Sequence, residues 1–241
     1  MDETLVEEDI HPVYISAGIT DVGRLRPTNQ DAFVELNDVG VWAVADGMGG
    51  YRDGDVASRM VCGGLQQLSA AGSLDDLVNV LRQRMSEVNR RLYEASIRPI
   101  NPIVSGSTVA ILAVRGTDCA VLWAGDSRIY RWRQGQLTQL TTDHTWAAEL
   151  NLQQAGEEAD HAITRAVGGE GTLTLDMRRD RVQLGDRYLL CSDGLTRELS
   201  DSRIAAALSA PDVKSAARQL IDATLQAGAR DNVTVVVVEA T

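Results

Sequence analysis

The hydrophobic positions of the chain fall mostly into short runs. Runs with the length and the β-branched content of strands occupy residues 13–17, 41–45, 107–114, 119–124, 128–132, 173–177, 187–191 and 233–239. The last run is apolar at both odd and even positions, as in a strand that is covered on both faces. We therefore predict that it lies in the centre of a sheet. A Gln134-Gly135 step between two β-type runs predicts a tight hairpin.

Helical spacing of apolar residues is found in two pairs of segments, at 55–69 and 74–96 and at 204–208 and 213–227. Ser73 precedes the second segment and Asp76 follows three residues later, which is the pattern of a capping box. Asp212 and Gly228 bracket the last segment as an N-cap and a stop signal. Four helices are therefore predicted, and they come in two consecutive pairs.

The order of these elements favours one fold class. Helices that arrive in pairs between groups of strands do not fit alternating β-α-β units, so we predict sheets packed together with helix pairs on the outer faces. Residues 1–12 are polar and are expected to be a flexible lead-in, while 13–241 are expected to form a single domain. Residues 143–169 are polar and weakly patterned, which predicts a mobile insertion.

Composition narrows the function classes. The net charge is −11 with no cluster of basic residues, which argues against nucleic-acid binding. No apolar stretch has the length of a membrane span and the N-terminus lacks the apolar core of a signal peptide, so we expect a cytoplasmic protein. Cys62, Cys119 and Cys191 share no metal-type or redox-type spacing and are interpreted as buried free thiols. The three histidines form no zinc motif.

Aspartates next to glycine or asparagine carry the candidate chemistry. They occur in four segments, Asp46-Gly47-Met48-Gly49-Gly50, Gly125-Asp126-Ser127-Arg128, Ser192-Asp193-Gly194 and Arg230-Asp231-Asn232. A carboxylate at a strand end is costly to bury unless a cation lies beside it. Each segment taken alone is equally well explained as a turn. Their joint occurrence predicts ligands for a hard cation.

A fifth segment, Gly23 to Asp31, adds a guanidinium to this set. Arg26 precedes an Asn-Gln-Asp cluster in a loop that contains Pro27. The planar fork of arginine suits bidentate binding of a phosphate. On its own, however, Arg26 would be interpreted as a surface ion-pair residue.

Taken in order, these segments resemble the metal-dependent (type 2C, PPM) Ser/Thr protein phosphatase family, and in particular its compact bacterial members. The resemblance runs from about Gly18 to the C-terminus and includes two further motifs, Gly106-Ser107-Thr108 and Asp143-His144. It implies an α+β fold, a four-layer α-β-β-α sandwich of two antiparallel sheets flanked by helix pairs, with a short flap at about 143–169. It also implies hydrolysis of phosphoserine and phosphothreonine in proteins by a hydroxide that bridges two divalent metal ions.

The resemblance also assigns metal ligands. Asp46 would bridge two ions, and the Gly47 carbonyl would bind one of them. Asp193 and Asp231 would complete the other. Asp126 would help Asp193 to hold a third, weaker ion. Oxygen ligands of this kind favour Mn²⁺ or Mg²⁺ over zinc.

Two residues would act on substrate and water. Arg26 would bind the phosphate, and Asp31 would orient the metal-bound water without ligating the ions. Two departures from the family pattern matter here. Met48 stands where animal members carry a histidine proposed as the general acid, and Gln30 stands where many members carry glutamate.

The implied setting is a bacterial cytoplasm, where a monomeric phosphatase would act on phosphoproteins and oppose a Ser/Thr kinase, including kinases linked to type VI secretion. Two alternatives remain open at this point. Sporulation-type phosphatases share the aspartates but generally lack the arginine of the motif, so Arg26 argues against that group. A metal-free scaffold would not need Asp46, Asp193 and Asp231.

Overall fold

Two antiparallel sheets form the frame of the protein. The computed structural model describes residues 12–49, 53–69, 72–100, 102–150 and 162–241. The strands are β1 Tyr14–Asp21, β2 Asp31–Leu36, β3 Val41–Met48, β4 Gly106–Ser107, β5 Val109–Arg115, β6 Asp118–Ala124, β7 Arg128–Arg133, β8 Gln136–Gln139, β9 Asp176–Arg181, β10 Arg187–Cys191 and β11 Val233–Ala240. The first sheet has the order β1-β11-β10-β7-β8. The second has the order β2-β3-β5-β6-β9, with β4 paired to β3.

Helices cover the outer faces of both sheets. They are α1 Gly54–Leu65, α2 Leu74–Ser96, α3 Trp146–Glu149, α4 Asp193–Thr196, α5 Asp201–Leu208 and α6 Val213–Ala227, and a short 3₁₀ turn spans Asn37–Val39. One apolar cluster lies between the second sheet and the pair α1 and α2, and another lies between the first sheet and the pair α5 and α6. A third cluster fills the space between the sheets. The predicted four-layer α-β-β-α sandwich is therefore confirmed.

β11 shows how the sequence pattern sets these layers. Val233, Val235 and Val237 contribute to the core beneath α5 and α6, whereas Val236 and Val238 contribute to the core between the sheets. β11 pairs with β1 on one side and with β10 on the other. Its apolar residues on both faces thus place it in the interior of the sheet, as predicted.

The capping signals are also confirmed. The Ser73 hydroxyl accepts a hydrogen bond from the Asp76 N–H, and the Asp76 carboxylate accepts one from the Ser73 N–H at 2.9 Å. Asp212 accepts from the Ser215 N–H at 2.8 Å, and Gly228 ends α6 with a φ of 137°. In the hairpin between β7 and β8, Gln134 and Gly135 both have positive φ, as a tight turn requires.

Two strands differ from the sequence-based prediction. β2 was not predicted. β9 begins at Asp176, whereas the prediction covered 173–177. β9 is the edge strand of the second sheet and most of its side chains are exposed, so it lacks an apolar pattern. The nearest apolar run precedes it, and its buried member is Leu175.

The predicted flap is described only at its two ends, which lie side by side. The N–H of Trp146 donates to the Ala162 carbonyl at 3.0 Å, and the Thr164 N–H donates to the His144 carbonyl at 2.9 Å. Residues 151–161, and the lead-in residues 1–11, lie outside the described part of the chain. The mobility of both segments, and the single domain at 13–241, stay predictions.

Candidate active site

Asp31 and Asp46 face each other at the end of one antiparallel strand pair. They are directly opposite in the register between β2 and β3. The backbone of Asp46 is fixed by the motif Gly106-Ser107-Thr108. Its N–H donates to Thr108 Oγ1 at 2.9 Å, and its carbonyl accepts from the Thr108 N–H at 2.8 Å and from Ser107 Oγ at 3.0 Å. The strand end that carries Asp46 is therefore held rigidly.

The carboxylate of Asp31 connects the two sheets. Its Oδ2 accepts hydrogen bonds from Ser192 Oγ and Thr234 Oγ1, each at 2.7 Å. Its Oδ1 is buried and has no hydrogen-bond partner among the described residues. Burial raises the pKa of Asp31 to about 7, and the two hydroxyl groups oppose that rise. Asp31 thus keeps one acceptor oxygen for a group that the protein itself does not supply.

Gly47 allows the next segment to approach Asp46 closely. A Cβ at this position would lie 1.9 Å from the Gly54 carbonyl oxygen, at the start of α1. The Gly47 N–H donates to the Gln30 carbonyl at 3.1 Å. Only glycine fits between these two backbones, so this site requires it.

Asn232 ties Asp231 to the segment around Gln30. Its Oδ1 accepts from the Gln30 N–H at 2.8 Å, and its Nδ2 donates to the carbonyls of Val22 and Thr28 at 2.8 and 3.0 Å. The Asn232 carbonyl in turn lies 1.9 Å from where a Cβ of Gly194 would stand. These contacts hold the segments of Arg26, Asp193 and Asp231 against one another.

Two arginines bind the carboxylates of Asp193 and Asp231. Arg26 Nη2 lies 2.7 Å from Asp231 Oδ2, and Arg197 Nη1 lies 3.5 Å from the same oxygen. Arg197 also forms an ion pair with Asp193, four residues before it. The hydrogen bond to Asp231 raises the pKa of Arg26 above its usual range.

Asp126 is a buried acid on the turn after β6. Gly125 has a φ of 109°, which favours glycine in this turn. Asp126 is 5% exposed, and its Oδ1 has no hydrogen-bond partner in the described ranges. Burial raises the pKa of Asp126 to about 7, and the charges of Asp193 and Asp143 add to the rise.

His144 belongs to a motif of the family resemblance to which no role was assigned. It fixes the turn after β6 by hydrogen bonds with Gly125. Its ring Nδ1 accepts from the Gly125 N–H at 3.1 Å, and its backbone N–H donates to the Gly125 carbonyl at 3.0 Å. Because Nδ1 is an acceptor, these hydrogen bonds assign the ring proton to Nε2, which lies 3.2 Å from Asp176 Oδ2. Burial lowers the pKa of His144, which keeps the ring neutral.

The predicted residues converge on one pocket of 520 Å³ between the ends of the two sheets. Five of them line it, namely Arg26, Asp46, Gly47, Asp193 and Asp231, together with Met48 and Arg197. Asp31 and Asp126 do not line the pocket. Their charges nevertheless act on it, because both raise the pKa of Asp46. Burial, with these like charges, raises the pKa of Asp46 well above its usual range.

A carboxylate-rich pocket of this kind suits hard divalent cations. All predicted donors are oxygens, and the elevated pKa values of Asp31, Asp46 and Asp126 indicate negative charge that a cation would relieve. Within the described ranges, no three carboxylate, imidazole or thiol groups are arranged so that they could hold a metal ion without other ligands. Asp231 and Asp193 are instead paired with Arg26 and Arg197.

Several of these contributors have no pattern in the sequence. Ser192 and Thr234 lie in apolar runs, and their contact with Asp31 depends on the packing of the two sheets. Arg197 follows Asp193 by four residues, and that helical spacing was the one signal that could have shown it. Asn232 was part of a quoted motif, but its three hydrogen bonds are tertiary contacts.

Comparison with known proteins supports an assignment of this fold and pocket. Residues 26–233 match the family described as Protein phosphatase 2C. Over 233 residues, or 92% of this chain, the sequence is 36% identical to the serine/threonine protein phosphatase PstP of Mycobacterium tuberculosis. This chain spans 44% of the length of that relative.

Solved structures agree with this match. PppA, described as a key regulatory component of T6SS in Pseudomonas aeruginosa, superimposes with a TM-score of 0.88 at 40% identity, covering 96% of this chain and 99% of PppA. The catalytic domain of PstP in complex with 2 manganese ions gives a TM-score of 0.84 at 35% identity, covering 95% and 99%. The fold is that of the metal-dependent serine/threonine protein phosphatases. The chain belongs to the protein phosphatase 2C family.

No helix in the described ranges is both long enough and apolar enough to cross a membrane.

Proposed function

We propose that this chain hydrolyses phosphoserine and phosphothreonine in proteins with the help of two divalent cations, Mn²⁺ or Mg²⁺. The observation that carries the proposal is the convergence of aspartates from separate segments with Arg26 at one pocket. The manganese-bound catalytic domain of PstP supports the choice of cation. When bound, such cations lower the pKa of water toward neutrality and so supply a nucleophile at neutral pH.

The aspartates are assigned as ligands of two main cations and of a third cation. Asp46, the Gly47 carbonyl, Asp193 and Asp231 would hold the two main cations. Asp126 would help to hold a third and weaker ion beside Asp193, whose charge already acts on it. The unpartnered Oδ1 of Asp126 supports this assignment.

Arg26 would bind and orient the phosphate. Its side chain is 53% exposed and lines the pocket, so it can reach a bound phosphoester. Two parallel N–H donors on its guanidinium match the spacing of two phosphate oxygens. Charge that develops on the phosphoryl oxygens would be stabilised there.

Asp31 would orient the attacking water. Its Oδ2 is already fixed by Ser192 and Thr234, which leaves Oδ1 as the free acceptor. Because burial raises the pKa of Asp31 to about 7, Oδ1 could also hold a proton at neutral pH. Met48, which also lines the pocket, has no acidic group to donate to the leaving serine or threonine.

The cellular setting is the second part of the proposal. We propose a cytoplasmic, monomeric phosphatase with a single domain at 13–241, which acts on phosphoproteins made by a bacterial Ser/Thr kinase. The similarity to PppA, over 96% of this chain, favours a kinase linked to type VI secretion.

The direct test is hydrolysis by the purified full chain. We expect release of phosphate from p-nitrophenyl phosphate and from phosphothreonine peptides with Mn²⁺, and none with a chelator. A phosphotyrosine peptide should be a poor substrate, and Asp46→Asn serves as the inactive control. Equal turnover with and without chelator, or equal turnover of the Asp46→Asn variant, would contradict the proposal.

A further inference from the structure

Arg197 is a second guanidinium in the pocket, and neither the family resemblance nor the proposed chemistry uses it. It follows Asp193 by four residues across the short helix α4, and its N–H donates to the Asp193 carbonyl at 2.9 Å. Helical side chains point toward the N-terminus of their helix, which brings the guanidinium back over Asp193. Its position is therefore determined by the local backbone.

The charge of Arg197 acts on three of the predicted metal ligands. It forms an ion pair with Asp193 and lies 3.5 Å from Asp231 Oδ2. It also opposes the rise in the pKa of Asp126. Arg26 also acts on three of them, through its hydrogen bond with Asp231 and its charge interactions with Asp46 and Asp193. Arg197 differs from Arg26 because it contacts both Asp193 and Asp231 directly.

From these contacts we infer that Arg197 is a built-in counter-ion that competes with divalent cations for Asp193 and Asp231 and thereby weakens metal binding. The inference rests on the proposed function, because it takes these two aspartates as metal ligands. A guanidinium cannot lose its charge at physiological pH, so it can release the carboxylates only by moving away. The Arg197 side chain is 31% exposed, which leaves it a path toward solvent.

An ordinary surface ion pair is the alternative explanation, and the chain contains one for comparison. Arg218 and Asp222 are also four residues apart on a helix, but their shortest contact is 3.9 Å and their side chains are 67% and 50% exposed. Asp193 is 11% exposed and Arg197 lines the pocket. Solvent screens the first pair strongly and the second pair much less.

Removal of Arg197 should have two linked effects. Without this counter-ion, the carboxylates of the acidic cluster repel one another more strongly. The metal-free protein, measured in the presence of a chelator, should therefore be less stable. A divalent cation then relieves more repulsion and meets no competitor, so it should bind more tightly. A purely structural arginine would produce the first effect but not the second.

The experiment measures Mn²⁺ binding by calorimetry and thermal unfolding in chelator and in saturating Mn²⁺. Arg197→Gln should lower the Mn²⁺ dissociation constant about tenfold, which is about 1.4 kcal/mol. Its Tm should fall in chelator, and the rise in Tm on addition of Mn²⁺ should exceed that of the unmodified protein. Arg197→Lys keeps the charge, so its Mn²⁺ dissociation constant should lie between those of Arg197→Gln and the unmodified protein. Arg218→Gln is the matched control and should bind Mn²⁺ as the unmodified protein does.

Two results would overturn the inference. One is an Mn²⁺ dissociation constant for Arg197→Gln that is within twofold of the unmodified protein, and the other is weaker binding. If Arg197→Gln does not fold, Arg197→Lys takes its place. An Mn²⁺ dissociation constant for Arg197→Lys equal to that of the unmodified protein would then overturn the inference. Failure of the proposed function looks different, because the unmodified chain would then neither bind Mn²⁺ nor hydrolyse p-nitrophenyl phosphate.

Discussion

The two walls of the pocket place the same side chain, aspartate, in opposite electrostatic settings. The second sheet supplies Asp31, Asp46 and Asp126, and none of these has an ion pair with an arginine in the described residues. Burial raises the pKa of each, and the charge of Asp193 adds to the rise in all three. The wall from the first sheet supplies Asp193 and Asp231, which arginines neutralise. We call these the unpaired wall and the paired wall.

The difference shows how such a site can be both folded and reactive. Carboxylates that are buried together cost stability unless a cation joins them. The paired wall carries its own cations, whereas the unpaired wall depends on an ion from solution. We therefore expect variants of each wall to separate the two contributions to metal binding.

The largest expected effect is the loss of activity from either wall. Asp46→Asn on the unpaired wall, and Asp193→Asn or Asp231→Asn on the paired wall, should each abolish hydrolysis, because an amide cannot replace the charge of a metal-binding carboxylate. Phosphate release at saturating Mn²⁺ measures this, with circular dichroism as the control for folding. Full turnover by a folded variant would remove that residue from the metal site.

Asp126→Ala should reduce hydrolysis without abolishing it. If Asp126 serves only a third ion, the variant should lose most of its turnover but keep the two tighter metal sites. Calorimetry with Mn²⁺ checks this directly. Loss of the tight sites would instead place Asp126 among the main ligands.

Arg26→Ala comes next in size and tests the phosphate contact of the paired wall. We expect kcat/KM to fall by roughly ten- to several-hundredfold, the scale of one charge-assisted bidentate contact of about 1.5–3 kcal/mol. Arg26→Lys should recover part of the loss, since it keeps the charge but not the fork. Inhibition by free phosphate should weaken in parallel.

Arg24→Ala is the control for this variant, because the exposed side chain of Arg24 donates to the Leu225 carbonyl and contacts none of the pocket carboxylates in the described structure. Unchanged kcat/KM and unchanged phosphate inhibition in Arg26→Ala would make Arg26 a surface ion-pair residue.

A smaller effect should appear in stability, and its sign should differ between the walls. In chelator at about pH 8, Asp46→Asn should raise the free energy of unfolding by about 1–3 kcal/mol, because it removes a buried charge that has no counter-ion. Asp193→Asn should lower it by about 1 kcal/mol or less, because Arg197 loses its partner. Urea unfolding of both variants measures the difference. Equal shifts would mean that the two walls do not differ electrostatically.

The smallest expected effect is a pH dependence of the chelated protein. Asp31 and Asp126 have folded pKa values of about 7, above the ordinary value of about 3.9. Between these values the folded protein keeps protons that the unfolded chain has lost, so stability falls as pH rises. Thermal unfolding from about pH 5 to about pH 8 should show a falling Tm in chelator, and a smaller fall in Mn²⁺. A Tm that rises across this range in chelator would contradict the prediction.

The parts of the fold that local signals specify were predicted well. Helix α2 occupies 74–96 and helix α6 occupies 213–227, as predicted, because capping residues and apolar spacing define both within one segment. β9 was misplaced, since an edge strand with exposed arginines has no apolar pattern to read. β2 was missed although Ala32, Phe33, Val34 and Leu36 are apolar and none of its residues is exposed. The fold class and the family are confirmed.

The site was only partly predictable, for a related reason. Asp46, Asp193 and Asp231 are marked by the glycine or asparagine that follows each of them, and the structure places all three in one pocket. Ser192 and Thr234 are ordinary small polar residues until the sheets bring them to Asp31. Roles that depend on contact across the sandwich leave no trace in the spacing of the sequence. The assignment of the ligands stays a prediction.

The pairing of β1 with β11 has a consequence for how the protein is made. Arg26 and Asp231 touch although 205 positions separate them, and β11, an interior strand of the first sheet, follows all the other described strands in the chain. A ribosome that adds about 5–20 residues per second needs roughly 10–40 seconds to pass from one to the other. During that time the first sheet lacks β11, which joins β1 to β10, so the nascent chain has apolar strand edges that chaperones would have to cover. The acidic pocket therefore cannot be complete until Asp231 has been translated.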